Sequence, residues 1–159
     1  MKYLLLCLII AAFIFSACSI QGRPMTESSF YSNFSLNKTV KQLNVPELKS
    51  SAGNSGDGKS FGEIVKYRRD FDLEYKIEEY GNKKFDEKFF LDQLRLQISE
   101  ELANSGTYTQ SVGFSSNSFH FDYSKDDNKG WIEVAGARLE GNRYRLWCVI
   151  REQVESKDN

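Results

Sequence analysis

FDLEYKIEEYGNKKFDEKFFLDQLRLQISEELANSG, residues 71–106, decides the fold. Its first part alternates. Phe71, Leu73, Tyr75 and Ile77 are separated by Asp72, Glu74 and Lys76, the period-2 pattern of a strand with one buried face. Gly81-Asn82 breaks that pattern. From Asp86, a residue suited to cap a helix, the period becomes helical and runs to about Ala103, stopping at Asn104-Ser105-Gly106. At 100° per residue, Phe90, Leu91, Leu94, Ile98 and Leu102 share one face about 120° wide, the width of a helix lying on a core. Phe85, Phe89, Leu96 and Ala103 form a second, narrower stripe on the reverse side. Three fates are open to it: cover by the aromatic patch Phe30, Tyr31 and Phe34, simple exposure, or a protein partner laid along it.

Downstream the chain reads as strands. Tyr108, Val112 and Phe114 suggest one, and Phe119, Phe121 and Tyr123 alternate in the next. KDDNKG, residues 125–130, is a turn, followed by a strand from Trp131 to Leu139. Glu140-Gly141-Asn142 makes a second hairpin, and the last strand runs from about Arg143 to Glu152. The expected class is α+β: one helix packed on an antiparallel sheet of four to five strands, in strand-helix-meander order. The globular domain is expected over residues 61–154, with a polar tail at 155–159.

The last strand holds the best candidate surface. Arg143, Arg145, Trp147, Val149 and Arg151 share a face, opposite Tyr144, Leu146, Cys148 and Ile150. Arg143, Arg145 and Trp147 are the expected binding patch for a protein or a glycan, because Trp and Arg are favoured interface anchors. With apolar residues on both faces, an ordinary central strand is the competing reading. Cys148, in mid-strand, reads as a buried free thiol.

Catalytic and metal chemistry find little support. His120 is the one histidine, and alternation sets Ser118 and Asp122 on its face. Successive members stand roughly 7 Å apart, whereas a proton relay needs contact at about 3 Å. Asp122, Ser124, Asp126 and Glu133 stand at the first, third, fifth and twelfth places of a calcium-loop pattern, but Asp127 takes the sixth place, where the turn requires Gly. A solvated hairpin is expected there. One histidine with one mature thiol makes no conventional zinc site, and no cofactor is expected.

Upstream of the domain, residues 18–60 are rich in Ser, Asn, Gly and Lys and read as a flexible tether. SSAGNSGDGKS is its clearest linker stretch. Gly53 to Ser60 matches the G-x-x-x-x-G-K-[ST] phosphate-loop pattern, yet VPELKSSA before it is too polar for the buried strand that such a loop needs. The expectation is a linker.

The chain opens with MKYLLLCLIIAAFIFSACS. Lys2, an apolar run from Tyr3 to Phe15 and small residues after it read as a signal peptide over residues 1–17. The run is shorter than the roughly 20 residues of a membrane-spanning helix, and no positive cluster follows it. Phe15-Ser16-Ala17-Cys18 resembles the lipobox of bacterial lipoproteins, with Phe15 where that pattern usually has Leu. The resemblance covers only this segment. It implies acylation of Cys18, and two or more chains hold a protein stably on a membrane. Ser19 replaces the Asp that commonly retains such proteins in the inner membrane, so the outer membrane is the implied home.

Without residues 1–17 the chain carries 20 basic and 22 acidic side chains. That balance implies neither nucleic acid nor an anionic membrane surface as a partner. The reading is a lipid-anchored envelope protein with a small non-catalytic binding module, serving envelope assembly or maintenance. A hydrolase acting on cell-wall or glycan material and a structural spacer are the alternatives.

Overall fold

The computed structural model describes residues 26–60, 64–79, 81 and 84–155. The expected signal peptide, Cys18 and the tail beyond 155 lie outside them. The protein is α+β, with one main helix against an antiparallel sheet. The elements are α1 (Ser29–Asn33), α2 (Leu36–Gln42), β1 (Leu48–Ser60), β2 (Ile64–Ile77), α3 (Glu87–Asn104), β3 (Tyr108–Phe114), β4 (Ser118–Lys125), β5 (Asn128–Leu139) and β6 (Arg143–Glu155). The sheet has six strands among the described residues, in the order β1-β2-β6-β5-β4-β3.

The helix α3 and the strand β2 form as their patterns require. The Asp86 side chain accepts the Phe89 N–H at 2.9 Å and caps α3. At the other end Gly106 takes φ +73°, a conformation that glycine adopts freely. Phe90, Leu91, Leu94, Ile98 and Leu102 are all buried against the sheet. Beneath them lie Leu73, Tyr75, Ile132, Val134, Leu146 and their neighbours, every one from the alternating face of its strand. Full burial of an aliphatic side chain of this kind contributes about 1.5–3 kcal/mol.

The flexible tether expected over 18–60 is a correction. From Ser28 onward that stretch is folded, and its linker segment is an edge strand. β1 pairs with β2 through twelve positions, with one irregularity between Ser50 and Ala52. This raises the strand count from the expected four or five to six and moves the start of the folded unit from 61 back to an N-terminal arm, residues 28–34. A backbone ladder at a sheet edge needs no apolar side chains, so Ser and Gly composition conceals it. Gly53 has a packing reason as well: a Cβ there would stand 2.9 Å from Leu73 Cδ2.

The aromatic patch of the N-terminal region does fold back, but onto the sheet rather than onto the reverse stripe of α3. Phe30 meets Tyr123 at 5.3 Å between ring centroids, Tyr31 meets Tyr67 at 5.7 Å, and Phe34 meets Phe71 at 5.7 Å. These rings cover a part of the sheet, around Tyr67, Phe71 and Tyr123, that the helix does not reach. Phe89, Leu96 and Ala103 therefore stay exposed, while Phe85 is buried against Tyr144 and Phe90.

Candidate functional site

The two faces of the sheet differ. On the open face, strand alternation sets Arg143, Arg145, Trp147 and Arg151 of β6 beside Asp72 and Glu74 of β2. Arg145 binds Asp72 through two nitrogens, Nε at 2.8 Å and Nη2. Arg143 reaches Glu74 at 3.2 Å and the Glu140 carbonyl at 3.1 Å. Each arginine thus leans one step along the ladder to an acid beside its direct partner. The Arg145 hydrogen bond holds the Asp72 carboxyl below the usual carboxylate range. The sequence brings the three candidate residues onto one exposed face as expected, but both arginine charges are answered inside the sheet.

Trp147 is 37% exposed. Its indole borders a shallow depression of about 450 Å³ whose other walls include Asn54, Gly56, Asp70, Asp72 and Val149. One side of this depression comes from β1, which the composition of residues 50–60 had hidden. Two positions further along the same face of β6, the Arg151 guanidinium lies 5.3 Å from the Trp131 ring centroid. Such an exposed cation–aromatic contact contributes about 0.5–1 kcal/mol. The face therefore carries two indoles, with Val149 and its partner Glu133 between them.

His120 sits on this face too, paired across the ladder with Glu133. Its imidazole lies over Gly113, so tightly that a Cβ on Gly113 would overlap the ring. Glycine is required there to seat the histidine. The calcium-loop pattern resolves into a hairpin: Lys125 pairs with Asn128 around Asp126 and Asp127, and Asp126 adopts φ +52°. Asp122 faces Trp131 across the strands while Glu133 faces His120, so these oxygens do not converge on a point. Among the described residues no group of three or more His, Cys, Asp or Glu side chains could hold a metal ion. Gly53 to Ser60, the phosphate-loop match, lies within extended β1, its backbone engaged in the β1–β2 ladder. Cys148 is a buried free thiol, and burial pushes its pKa up.

One polar constellation escaped the sequence reading. Glu152 is on the covered face of β6 and is 0% exposed. Its carboxyl accepts from the Ser28 N–H at 2.5 Å, Ser28 Oγ at 2.6 Å, Asn128 Nδ2 at 2.8 Å and the Tyr123 hydroxyl at 3.1 Å. Ser28 is also the cap of α1, with its oxygen accepting the Tyr31 N–H at 3.2 Å. At the far end of α1, Arg69 Nη1 donates to the Tyr31 carbonyl at 2.7 Å and to the Phe34 carbonyl at 3.2 Å. The two charged residues thereby satisfy backbone groups that a short helix leaves unpaired at each end, and they lock the arm onto the sheet. The signal for Glu152 was present in the alternation with Tyr144, Leu146, Cys148 and Ile150.

Among the described residues no helix is long and apolar enough to cross a membrane. No family model, no curated protein and no solved structure matches the chain.

Proposed function

We propose that this chain is a lipid-anchored protein of the bacterial envelope, held by acyl chains on Cys18, whose folded part binds a glycan on the open sheet face. The observation that carries the binding site is the depression beside Trp147. An exposed indole next to Asn54 offers an apolar platform for a sugar ring with an amide partner for its hydroxyls, and the Asp70 and Asp72 oxygens, though paired with Arg68 and Arg145, keep lone pairs that can accept from further hydroxyls. The arginines that would attract an acidic protein are already paired with Asp72 and Glu74, which favours a neutral, hydroxyl-rich ligand. The His120 ring packs against Gly113, an arrangement that suits a sheet surface better than a base serving a hydrolase. The outer membrane is the proposed location, with the module serving envelope assembly or maintenance.

The binding half is tested by titrating the protein with soluble peptidoglycan fragments while following the indole N–H signals by NMR. The Trp147 signal should shift, and Trp147→Ala should weaken binding at least about tenfold, the scale of losing an interface anchor. Shifts confined elsewhere, or none, would remove the glycan reading. The anchor half predicts that Cys18→Ser abolishes fatty-acid labelling and releases the protein from membranes. Labelling that persists in this variant would overturn it.

A further inference from the structure

The two edges of the sheet are built differently. β1 carries charge, with Lys49, Asp57 and Lys59 along it. β3 carries none: residues 102–121 contain no Asp, Glu, Lys or Arg, in a chain that is 27% charged. Charged side chains on an edge are a usual device against pairing with another chain, and β3 lacks it. Instead it displays Phe114 at 79%, Tyr108 at 69% and Val112 at 40% exposure. Among the described residues its one strand neighbour is β4.

The hydrogen-bond phase of β3 says which groups are on offer. The Ser115 N–H donates to the Ser118 carbonyl at 2.8 Å, turning that residue's groups toward β4. Alternation along an antiparallel ladder then turns the N–H and C=O of Phe114 and Val112 outward. These are the two residues whose side chains point to the covered face, beside Phe119 and Phe121 of β4.

We propose that the chain pairs with a second copy of itself edge to edge, β3 against β3 in antiparallel register, about a twofold axis at Gly113. In that register Val112 stands opposite Phe114 of the other copy, and Phe114 opposite its Val112. All four outward N–H and C=O groups of each copy find partners. The four apolar side chains meet on one face and extend the Phe119–Phe121 row across the axis. An uncharged strand suits a copy in particular. A self-complementary contact sets each strand against its own sequence, so a charged edge would face like charge, whereas a charged foreign strand would find nothing here to answer it. A seven-residue strand is about 23 Å long, which places the contact at the small end of interfaces and makes the dimer concentration-dependent.

The test is sedimentation and chemical crosslinking of the full chain, in detergent, over a range of concentrations. The natural protein should form dimers whose fraction rises with concentration, and Val112→Lys should weaken association at least about tenfold by setting a charge against Phe114 of the other copy, with the two lysines diagonal neighbours across the axis. Ser50→Lys on the other edge should leave it unchanged. Far-UV circular dichroism establishes that each variant is folded. Should Val112→Lys fail to fold, Phe114→Lys, at the more exposed position, gives the same reading. A monomer at all concentrations overturns the proposal. So does a dimer indifferent to the β3 lysine, as shared micelles would produce, or one abolished by Ser50→Lys.

Discussion

The covered and open faces of one sheet hold side chains by different physics. The covered face buries aromatic and aliphatic groups under α3 and the arm, and admits one carboxyl, Glu152, with four donors around it. The open face lays acids and arginines side by side in water and closes no cavity over them. Its ion pairs are about half exposed: Arg145 and Asp72 stand at 50% and 45%. Solvent screens such pairs, and holding two long side chains in place costs entropy. The same number of charged contacts therefore contributes much less on the open side. What the open face provides is a surface of set shape, with Arg143 and Arg145 paired to Glu74 and Asp72 and an indole left available.

The contrast can be broken most readily at Glu152. Glu152→Gln leaves the shape but replaces an acceptor oxygen with an NH2 group facing donors, so it is expected to cost about 2 kcal/mol in urea unfolding. Amide exchange should speed up first in residues 28–34, since the arm loses its latch before the sheet opens. A variant as stable as the natural protein would mean that packing alone holds the arm. On the other face, Trp147→Ala should change stability by about 1 kcal/mol or less, even though ligand binding is expected to fail. A larger loss would make this indole part of the core and weaken its role as a binding group.

The smallest effect sharpens the comparison through pH. Asp72 has its pKa lowered in the folded protein, so its pairing with Arg145 stabilises the fold above the ordinary carboxylate value. That contribution is lost as pH falls through the folded value. Arg145→Ala should lower Tm by no more than about 2 °C near neutrality, and the gap from the natural protein should close in acid. A gap that widens on acidification would put the Asp72 interaction elsewhere.

Much of the architecture was legible in residues 71–106. Two periods, a cap at Asp86 and a stop at Gly106 define a strand and a helix, because each of these signals acts within a few residues. The hairpins expected over 125–130 and 140–142 were readable for the same reason, although the first is tighter than expected, with Asp126 and Asp127 alone between β4 and β5, while Gly141 and Asn142 adopt φ +72° and +54°. The placement of Arg143, Arg145 and Trp147 on one face also followed from alternation. Their charge state as a surface did not, since Asp72 and Glu74 lie some 70 positions away along the chain.

By itself the sequence determined what is local: the alternation of β2 and β6, the main apolar face of α3, the charge balance and the likeness of residues 15–18 to a lipobox. Only the tertiary structure decided that a Ser/Gly-rich stretch becomes β1, that Phe30, Tyr31 and Phe34 land on Tyr67, Phe71 and Tyr123, and that Ser28 meets Glu152. These outcomes depend on which backbone and side-chain partners stand free once the helix has taken its share of the sheet. A pairing between distant segments is set by what the rest of the fold leaves unsatisfied, and no window of neighbouring residues carries that information.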